Sequence, residues 1–248
     1  MPRKPRIEIA GYYHIINRGV EQRAIFKEEN DYKEFKELMC FYAKSYGITI
    51  HNYCLMSNHY HLLLEIQQEN LSKFMRQLNM NYAIYFNKKY KRVGHLWQGR
   101  FKSWFVTDEA YLYTLMLYIE QNPLKAKIVK TLEEYPYSSY HYFISNKIPE
   151  CLKDAWIVQN HKEDREAIKV MLNSRVDYST LQELKQASNI DKKPDIEKLR
   201  KSFKNIEDIK KRNKKIVEAY KKGYSEHIIA KVLELNQATV QRIIKRTK

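Results

Sequence analysis

The sequence predicts an α+β fold, a ferredoxin-like antiparallel sheet with helices on one face, followed by a small all-α, helix-turn-helix-like C-terminal region. Three observations lead there. The apolar pattern runs strand, helix, strand, strand, helix, strand, with spacing switching between two and about 3.6 residues, which is the split βαβ arrangement. Only Ser57-Asn58 separates the two central strand patterns, so a tight hairpin joins them. The chain beyond residue 205 then changes character, with 12 Lys+Arg against 5 Asp+Glu in its last 43 residues.

Taken in order, residues 12–17 read as a strand that Arg18-Gly19 ends. Residues 29–46 carry Phe35, Leu38, Met39 and Tyr42 at helical spacing, and Gly47 stops that helix. The runs 48–56 and 59–66 are the hairpin strands, and Leu71 to about Tyr90 is a second long helix with Phe74, Leu78 and Tyr85 on one side. Gly94 to Arg100 is rich in turn formers, and residues 101–106 read as another strand. A third helix starts near Thr107-Asp108 and is expected to end at Asn122, because Pro123 pushes its predecessor out of the helical region. Turns at Tyr135-Pro136 and Ser138-Ser139 close a first domain, 1–143, and residues 144–205 read as a mostly helical connector. In the region 206–248, residues 209–220, 225–235 and 236 onward read as three helices, with Gln237, Thr239, Gln241 and Arg242 placed to face DNA.

Composition narrows the partner class. The chain carries 45 Lys+Arg against 29 Asp+Glu, a net charge of +16, with a pI near 9.5. Such a balance favours a polyanion, because each cation laid on a phosphate releases condensed counterions. Twenty tyrosines, several beside basic residues as at Tyr85, Lys88, Lys89 and Tyr90, add rings on which unpaired bases can stack. Cys40, Cys54 and Cys151 are odd in number and lack CxxC spacing, which argues against a disulfide framework or zinc site and fits a reducing cytoplasm. No run approaches the roughly 18 apolar residues of a spanning helix, and no apolar signal core follows the basic start, so a cytoplasmic protein without membrane contact is expected.

The residues that can carry chemistry lie on two elements. In Asn58-His59-Tyr60-His61, at the start of an apolar strand, the two histidines share a face and can reach one divalent cation. Some fifty residues later, a helical reading at about 100° per residue puts Leu112, Leu115, Met116 and Ile119 toward the sheet. Tyr111, Tyr118 and Asn122 fall on one border of that stripe, Glu120 falls on the other, and Gln121 points away from the core. A phenol on such a border is held firmly yet open to substrate, and Asn122, one turn on, can add an amide oxygen to the metal. Two imidazoles and one oxygen leave positions open for a phosphate, which suits Mg2+ or Mn2+.

Longer segments are recognisable. Tyr13 to Gly19 (YHIINRG) is followed by Arg23-Ala24-Ile25-Phe26, then by Met56 to Leu63 (MSNHYHLL), Gly94 to Phe101 (GHLWQGRF) and Tyr118 to Ala126 (YIEQNPLKA). In this order and spacing, across about residues 5–143, the chain resembles the REP-associated tyrosine transposases, a branch of the single-tyrosine HUH transposases. The resemblance implies a ferredoxin-like fold, a metal pair at His59 and His61, and attack by Tyr118. It also implies action on single-stranded or hairpin-forming DNA through a 5′-phosphotyrosine link. Related transposases often have Gln one turn after the tyrosine, where this chain has Asn122, and the tail lies outside the shared core. Arg18, Arg23, Arg100 and Lys102, in or beside the matched segments, are expected to contact DNA.

Two other readings share these features. A replication initiator or relaxase would use the same fold and metal pair, but initiators often carry two tyrosines a turn apart. Thr114 and Asn122 occupy those places here. A DNA-binding regulator without catalysis would use the basic tail alone. The oligomeric state is left open between monomer and dimer.

Overall fold

The computed structural model describes residues 8–145, 147–161, 164–176, 196–204, 206, 208–221, 224, 229, 230 and 232–245. It divides into two compact units, residues 11–188 and residues 1–10 with 189–248.

The larger unit contains β1 (Gly11–Arg18), α1 (Glu29–Tyr46), β2 (Ile48–Met56), β3 (His59–Ile66), α2 (Leu71–Lys89), β4 (Lys102–Phe105) and α3 (Glu109–Glu120). Its sheet has the order β2-β3-β1-β4 and every pairing is antiparallel, the ferredoxin-like arrangement that the element order predicts. Local chemistry sets the ends of α1. Glu28 and Asp31 form a capping box at its start, and Gly47 closes it in the left-handed region at φ 60°. One residue later β2 begins.

A bulge in β2, between Ile50 and Asn52, changes which residues face which way. The extra residue is His51, which accepts a hydrogen bond from the Trp156 backbone at 2.9 Å and lies 3.3 Å from Glu65. Beyond it Tyr53 and Leu55 share a core with Tyr13, Ile15, Tyr60, Leu62 and Leu64, under Phe35 and Met39 of α1 and Phe74, Leu78 and Tyr82 of α2. Cys54, Met56 and Leu63 point the other way and form a second core with Leu112, Leu115, Met116 and Ile119 of α3.

The two crossover helices therefore lie on one face, as expected, but the Tyr118 helix does not join them. It covers the opposite face. The reason is in β3, where Leu62-Leu63-Leu64 makes both faces apolar and both must be shielded from water.

Three further expectations change. The third helix ends at Glu120 rather than Asn122, and Pro123 sits at the start of a new short helix, α4 (Asn122–Lys125), where its missing N–H costs nothing. Gln121 does not point to solvent: it is buried, and its Nε2 donates to the carbonyls of Leu172 and Ser174 at 2.8 and 2.7 Å. Cys40 and Cys151 are joined in a disulfide across 111 residues, against the expectation of free thiols, while Cys54 stays a buried thiol. An odd cysteine count does not exclude one pair that folding brings together.

Residues past the hairpin core also pack on this unit. Ser138 bridges Cys54, and the Leu55 and Ser139 backbone N–H groups donate to Tyr137 and Tyr53 carbonyls at 2.9 and 3.0 Å, which covers the free edge of β2. The short helices α5 (Tyr140–Phe143), α6 (Trp156–His161) and α7 (Arg165–Leu172) add Phe143, Ile157, Ile168 and Leu172 to the first core. Leu152, Ala155, Met171 and Val176 join the same core, so these parts of the 144–205 region pack against the sheet unit.

The smaller unit contains α8 (Ile196–Phe203), α9 (Ile209–Lys221) and α10 (Gln237–Lys245). Leu199, Ile216, Ala219, Ile229, Ala230, Val240 and Ile244 form its core. The second helix expected at 225–235 falls largely outside the described residues. Among the described residues, no helix is long and apolar enough to cross a membrane.

Candidate active site

The strand that carries both histidines starts at a turn held from three sides. The Gly19 N–H donates to the Asn58 carbonyl at 2.9 Å, and the N–H groups of Ile25 and Phe26 donate to the Ser57 carbonyl at 2.7 and 3.0 Å. Asn58 Nδ2 donates to the Gln22 carbonyl at 3.2 Å. Gly19 is needed there because a Cβ would lie 2.3 Å from the Arg23 carbonyl oxygen and 2.9 Å from Ile25 Cγ2. The segment from Asn17 to Phe26 therefore acts as a bracket for the turn at Ser57-Asn58.

Strand alternation puts His59 and His61 on the α3 side, with ring centroids 5.1 Å apart. The antiparallel register places Arg18 opposite His59 and Ile16 opposite His61, so His14 lies on the same face. His14 is fully buried, stacks on His61 at 5.3 Å, and its Nε2 is 3.0 Å from His61 Nδ1. His59 Nδ1 is 2.6 Å from Asn58 Oδ1. On both rings Nδ1 is engaged, which makes Nε2 the candidate donor to a metal. Burial, and then the Arg18 charge, push the His59 pKa down and favour the neutral, ligating form.

Tyr118 meets this cluster edge-on. Its ring is 5.6 Å from His61 and 6.0 Å from His14, at interplanar angles of 83° and 82°. It is half-buried, whereas Tyr111, expected on the same open border, is fully buried. The Lys125 ammonium lies 5.4 Å from the centre of the Tyr118 ring. Next along the helix Glu120 is sealed in the core. Burial raises its pKa to about 7, although Ser139 Oγ, Asn52 Nδ2 at 3.3 Å and the Tyr140 N–H at 3.2 Å all donate to its carboxyl.

The donor set fits a divalent cation in part. Two neutral imidazoles side by side are suitable ligands, but no cluster of three or more His, Cys, Asp or Glu side chains able to hold a metal occurs among the described residues. Asn122 is buried, and its Nδ2 donates to the carbonyls of Tyr118 and Ile119 at 2.7 and 3.3 Å, so the amide oxygen is the atom of this side chain that could serve a metal.

The residues expected to contact DNA separate into groups. Arg18, Arg100 and Lys102 line one cleft of about 430 Å3 beside the histidine face. Arg23 is outside that lining, paired with Glu21. Gln237, Thr239, Gln241 and Arg242 lie on α10 of the smaller unit; Thr239 is half-buried, Gln241 and Arg242 are exposed, and the Gln237 side chain is outside the description. Sequence reading passed over His14, Trp104 and Lys125. His14 stands in the YHIIN run, but only the β1–β3 register puts it beside His61. Trp104 follows from the same logic, since it pairs with His14 across β1 and β4 and its ring is 5.5 Å from it.

Comparison with known proteins agrees with this geometry. Residues 9–122 match the sequence profile of the family described as "Transposase IS200 like". A Haemophilus influenzae protein named as a REP-associated tyrosine transposase is 31% identical over 108 residues, which cover 38% of this chain and 60% of that protein's length. A solved REP-associated tyrosine transposase bound to a REP hairpin shares the fold, with a TM-score of 0.51 at 15% identity, over 61% of this chain and 89% of that one. Over residues 9–122, with their β2-β3-β1-β4 sheet, this chain is thus similar to the IS200-like transposases, and it spans 60% of the length of the curated relative it matches.

Proposed function

We propose that the protein is a metal-dependent single-stranded DNA transposase that cleaves and rejoins hairpin-forming DNA through a 5′-phosphotyrosine intermediate. The observation that carries this reading is the seat of Tyr118, a half-buried phenol edge-on to His61 on the face that also bears His59. A Mg2+ or Mn2+ ion held by His59 and His61, with Asn122 as third donor, would supply Lewis-acid polarisation of the scissile phosphate. The protein's own part is positional. Tyr118 Oη attacks phosphorus, a phosphotyrosine P–O bond forms, and the bond to the 3′ oxygen breaks. The phenol loses a proton and the departing 3′ oxygen gains one. Lys125, beside the Tyr118 ring, favours the developing phenolate. One phosphodiester replaces another, so a second 3′-OH can reverse the step without a nucleotide cofactor.

A single tyrosine in this place, with Thr114 and Asn122 a turn away, favours a transposase over an initiator of the two-tyrosine kind. The region 206–248 is proposed to add sequence-independent affinity, with Gln241 and Arg242 exposed on its last described helix. Arg242→Ala should weaken binding of any DNA by a similar factor and lower the salt dependence by about one unit of slope, read from titrations at several ionic strengths.

The decisive experiment is incubation with hairpin-forming single strands and Mn2+, followed by denaturing electrophoresis. Wild type should give a covalent adduct that mass spectrometry places on Tyr118. Tyr118→Phe should bind the same DNA and give none, while Tyr111→Phe, altered at a buried ring, should keep it. Binding without any adduct in wild type would make the protein a regulator. An adduct that persists in Tyr118→Phe would move the nucleophile elsewhere.

A further inference from the structure

Two sulfurs that lie 111 residues apart in the chain meet at the end of the sheet away from the histidines. Cys40 is in the second half of α1, and Cys151 is in a single 3-10 turn, Glu150–Leu152. Their disulfide borders a cleft of about 400 Å3, with Phe41, Lys44, Thr49 and Asp154 also in its lining. Thr49 pairs with Glu65 at one end of the β2–β3 hairpin, whereas His59 pairs with Met56 at the other. The volume falls in the range of roughly 300–1,000 Å3 that admits a small organic molecule. Both cysteines are half-buried, so the bond can be reached from solvent. Cys54 gives the contrast: it is fully buried, and burial drives its thiol well above the ordinary range, which is the setting of an inert sulfur.

The disulfide ties down a segment that touches the Tyr118 helix. Just past Cys151, Leu152 and Ala155 are sealed in the first core, and the Trp156 N–H donates to His51 Nδ1 at 2.9 Å. Further on, the Leu172 and Ser174 carbonyls accept from the Gln121 amide at 2.8 and 2.7 Å, directly after the last turn of α3. Leu152, Ile157, Ile168 and Leu172 pack without help from either sulfur, so the segment keeps its seat when the bond is open. The bond adds a covalent restraint to that seat. Lys44, exposed one turn after Cys40, lines the same cleft, where its charge favours a departing thiolate.

We propose that Cys40 and Cys151 form a reversible thiol–disulfide exchange site that takes a small dithiol in this cleft, and that its redox state sets how firmly the segment from Leu152 to Trp156 is held against β2. A thiolate of the dithiol attacks one sulfur of the pair, the S–S bond breaks, and the other cysteine leaves as a thiolate and takes up a proton. The second thiol of the reductant then displaces the first cysteine from the mixed disulfide. Two electrons and two protons pass to the pair, and the reductant ends as its own disulfide. An oxidised dithiol of the same class runs the exchange backwards.

The experiment keeps the full-length chain in buffers of reduced and oxidised dithiothreitol at set ratios. Rapid alkylation without denaturant and peptide mass spectrometry then follow. Cys40 and Cys151 should gain label together as the ratio rises and lose it when the ratio is reversed, while Cys54 stays unlabelled until urea is added. Hydrogen exchange on the same samples should quicken on reduction by roughly 10- to 100-fold in the peptide spanning residues 150–161, with peptides from β1 and β3 unchanged. Cys151→Ser should exchange as fast as the reduced wild type and ignore dithiothreitol; the wild-type pair of states carries the test if that variant fails to fold. Labelling that requires denaturant would make the disulfide a permanent staple. Labelling of Cys54 alongside the pair would mean that the reductant unfolds the chain, and equal exchange in both states would leave the segment held by packing alone. Any of these overturns the proposal. No arm uses DNA, so its outcome is independent of the chemistry proposed at Tyr118.

Discussion

On one face of the sheet, Tyr13, Ile15, Tyr60, Leu62 and Leu64 are sealed beneath α1 and α2; on the other, His14, His59 and His61 alternate with them under the edge of α3. The same strands supply both faces, so the contrast comes from side chains one residue apart. The sealed face is finished by rings, with Phe26, Phe35, Tyr60 and Tyr82 in mutual contact at 4.8 to 5.4 Å. Even its buried charge is fully engaged. Asp31 accepts from the Lys27 N–H at 2.8 Å, Tyr90 Oη at 2.7 Å, Tyr85 Oη at 3.1 Å and Lys89 Nζ at 2.7 Å. Burial pushes its carboxyl up, but those donors outweigh it and hold the pKa below the ordinary range. The α3 face instead keeps imidazoles and a phenol at a border with a basic cleft, where polar groups have room to meet a substrate. One face is a closed core and the other carries the proposed chemistry, so damage to each should be separable.

The largest expected effect breaks that comparison on the reactive side. His59→Ala should abolish adduct formation with Mn2+ while changing unfolding free energy by no more than about 1 kcal/mol, since the ring is half-buried at a strand end. Hairpin affinity in a gel-shift titration should be largely kept. Equal loss of binding, stability and cleavage would make His59 a structural residue.

On the sealed face the pattern should reverse. Phe35 is fully buried among Phe26, Tyr60 and Tyr82, so Phe35→Ala should cost about 3–5 kcal/mol in denaturant unfolding. The adduct yield per folded molecule, measured well below the lowered midpoint, should match wild type. A loss of chemistry beyond the loss of folded protein would show that the faces are coupled.

Glu120 sharpens the comparison by a smaller amount, because it belongs to the α3 face yet serves its core. Its carboxyl is held at about 7 against an ordinary 4.5, so the folded state keeps a proton that the unfolded chain has given up. Stability from this group is fully present below about pH 4.5 and lost as pH rises through about 7. At about 1.4 kcal/mol per unit, the slope amounts to a few kcal/mol at most. Glu120→Gln should flatten it in urea unfolding series between pH 4.5 and 8. A slope that survives the substitution would assign it to another group.

Much of this was legible from local signals, and the limits of those signals explain the rest. The stop at Gly47, the hairpin at Ser57-Asn58 and the shared face of His59 and His61 depend on neighbours a few residues away, so they follow from the chain alone. The Tyr118 border position was also legible, because helical angle separates it from Leu115 and Ile119. Helical angle failed for Gln121, since it cannot know that the Leu172 and Ser174 carbonyls reach its amide, and for Tyr111, which packs into the second core with Val106 and Tyr135.

What the sequence by itself determined is therefore the order of elements and the one-strand geometry of the histidine pair. The tertiary structure alone decided that α3 takes the face opposite α1 and α2, that the β2 bulge turns Cys54 and Met56 toward it, and that Cys40 meets Cys151. It alone placed His14 against His61 and Trp104 against His14. The physical reason is range. Periodicity and turn chemistry act over a few residues, whereas register and choice of face are settled by which distant apolar surfaces are buried together.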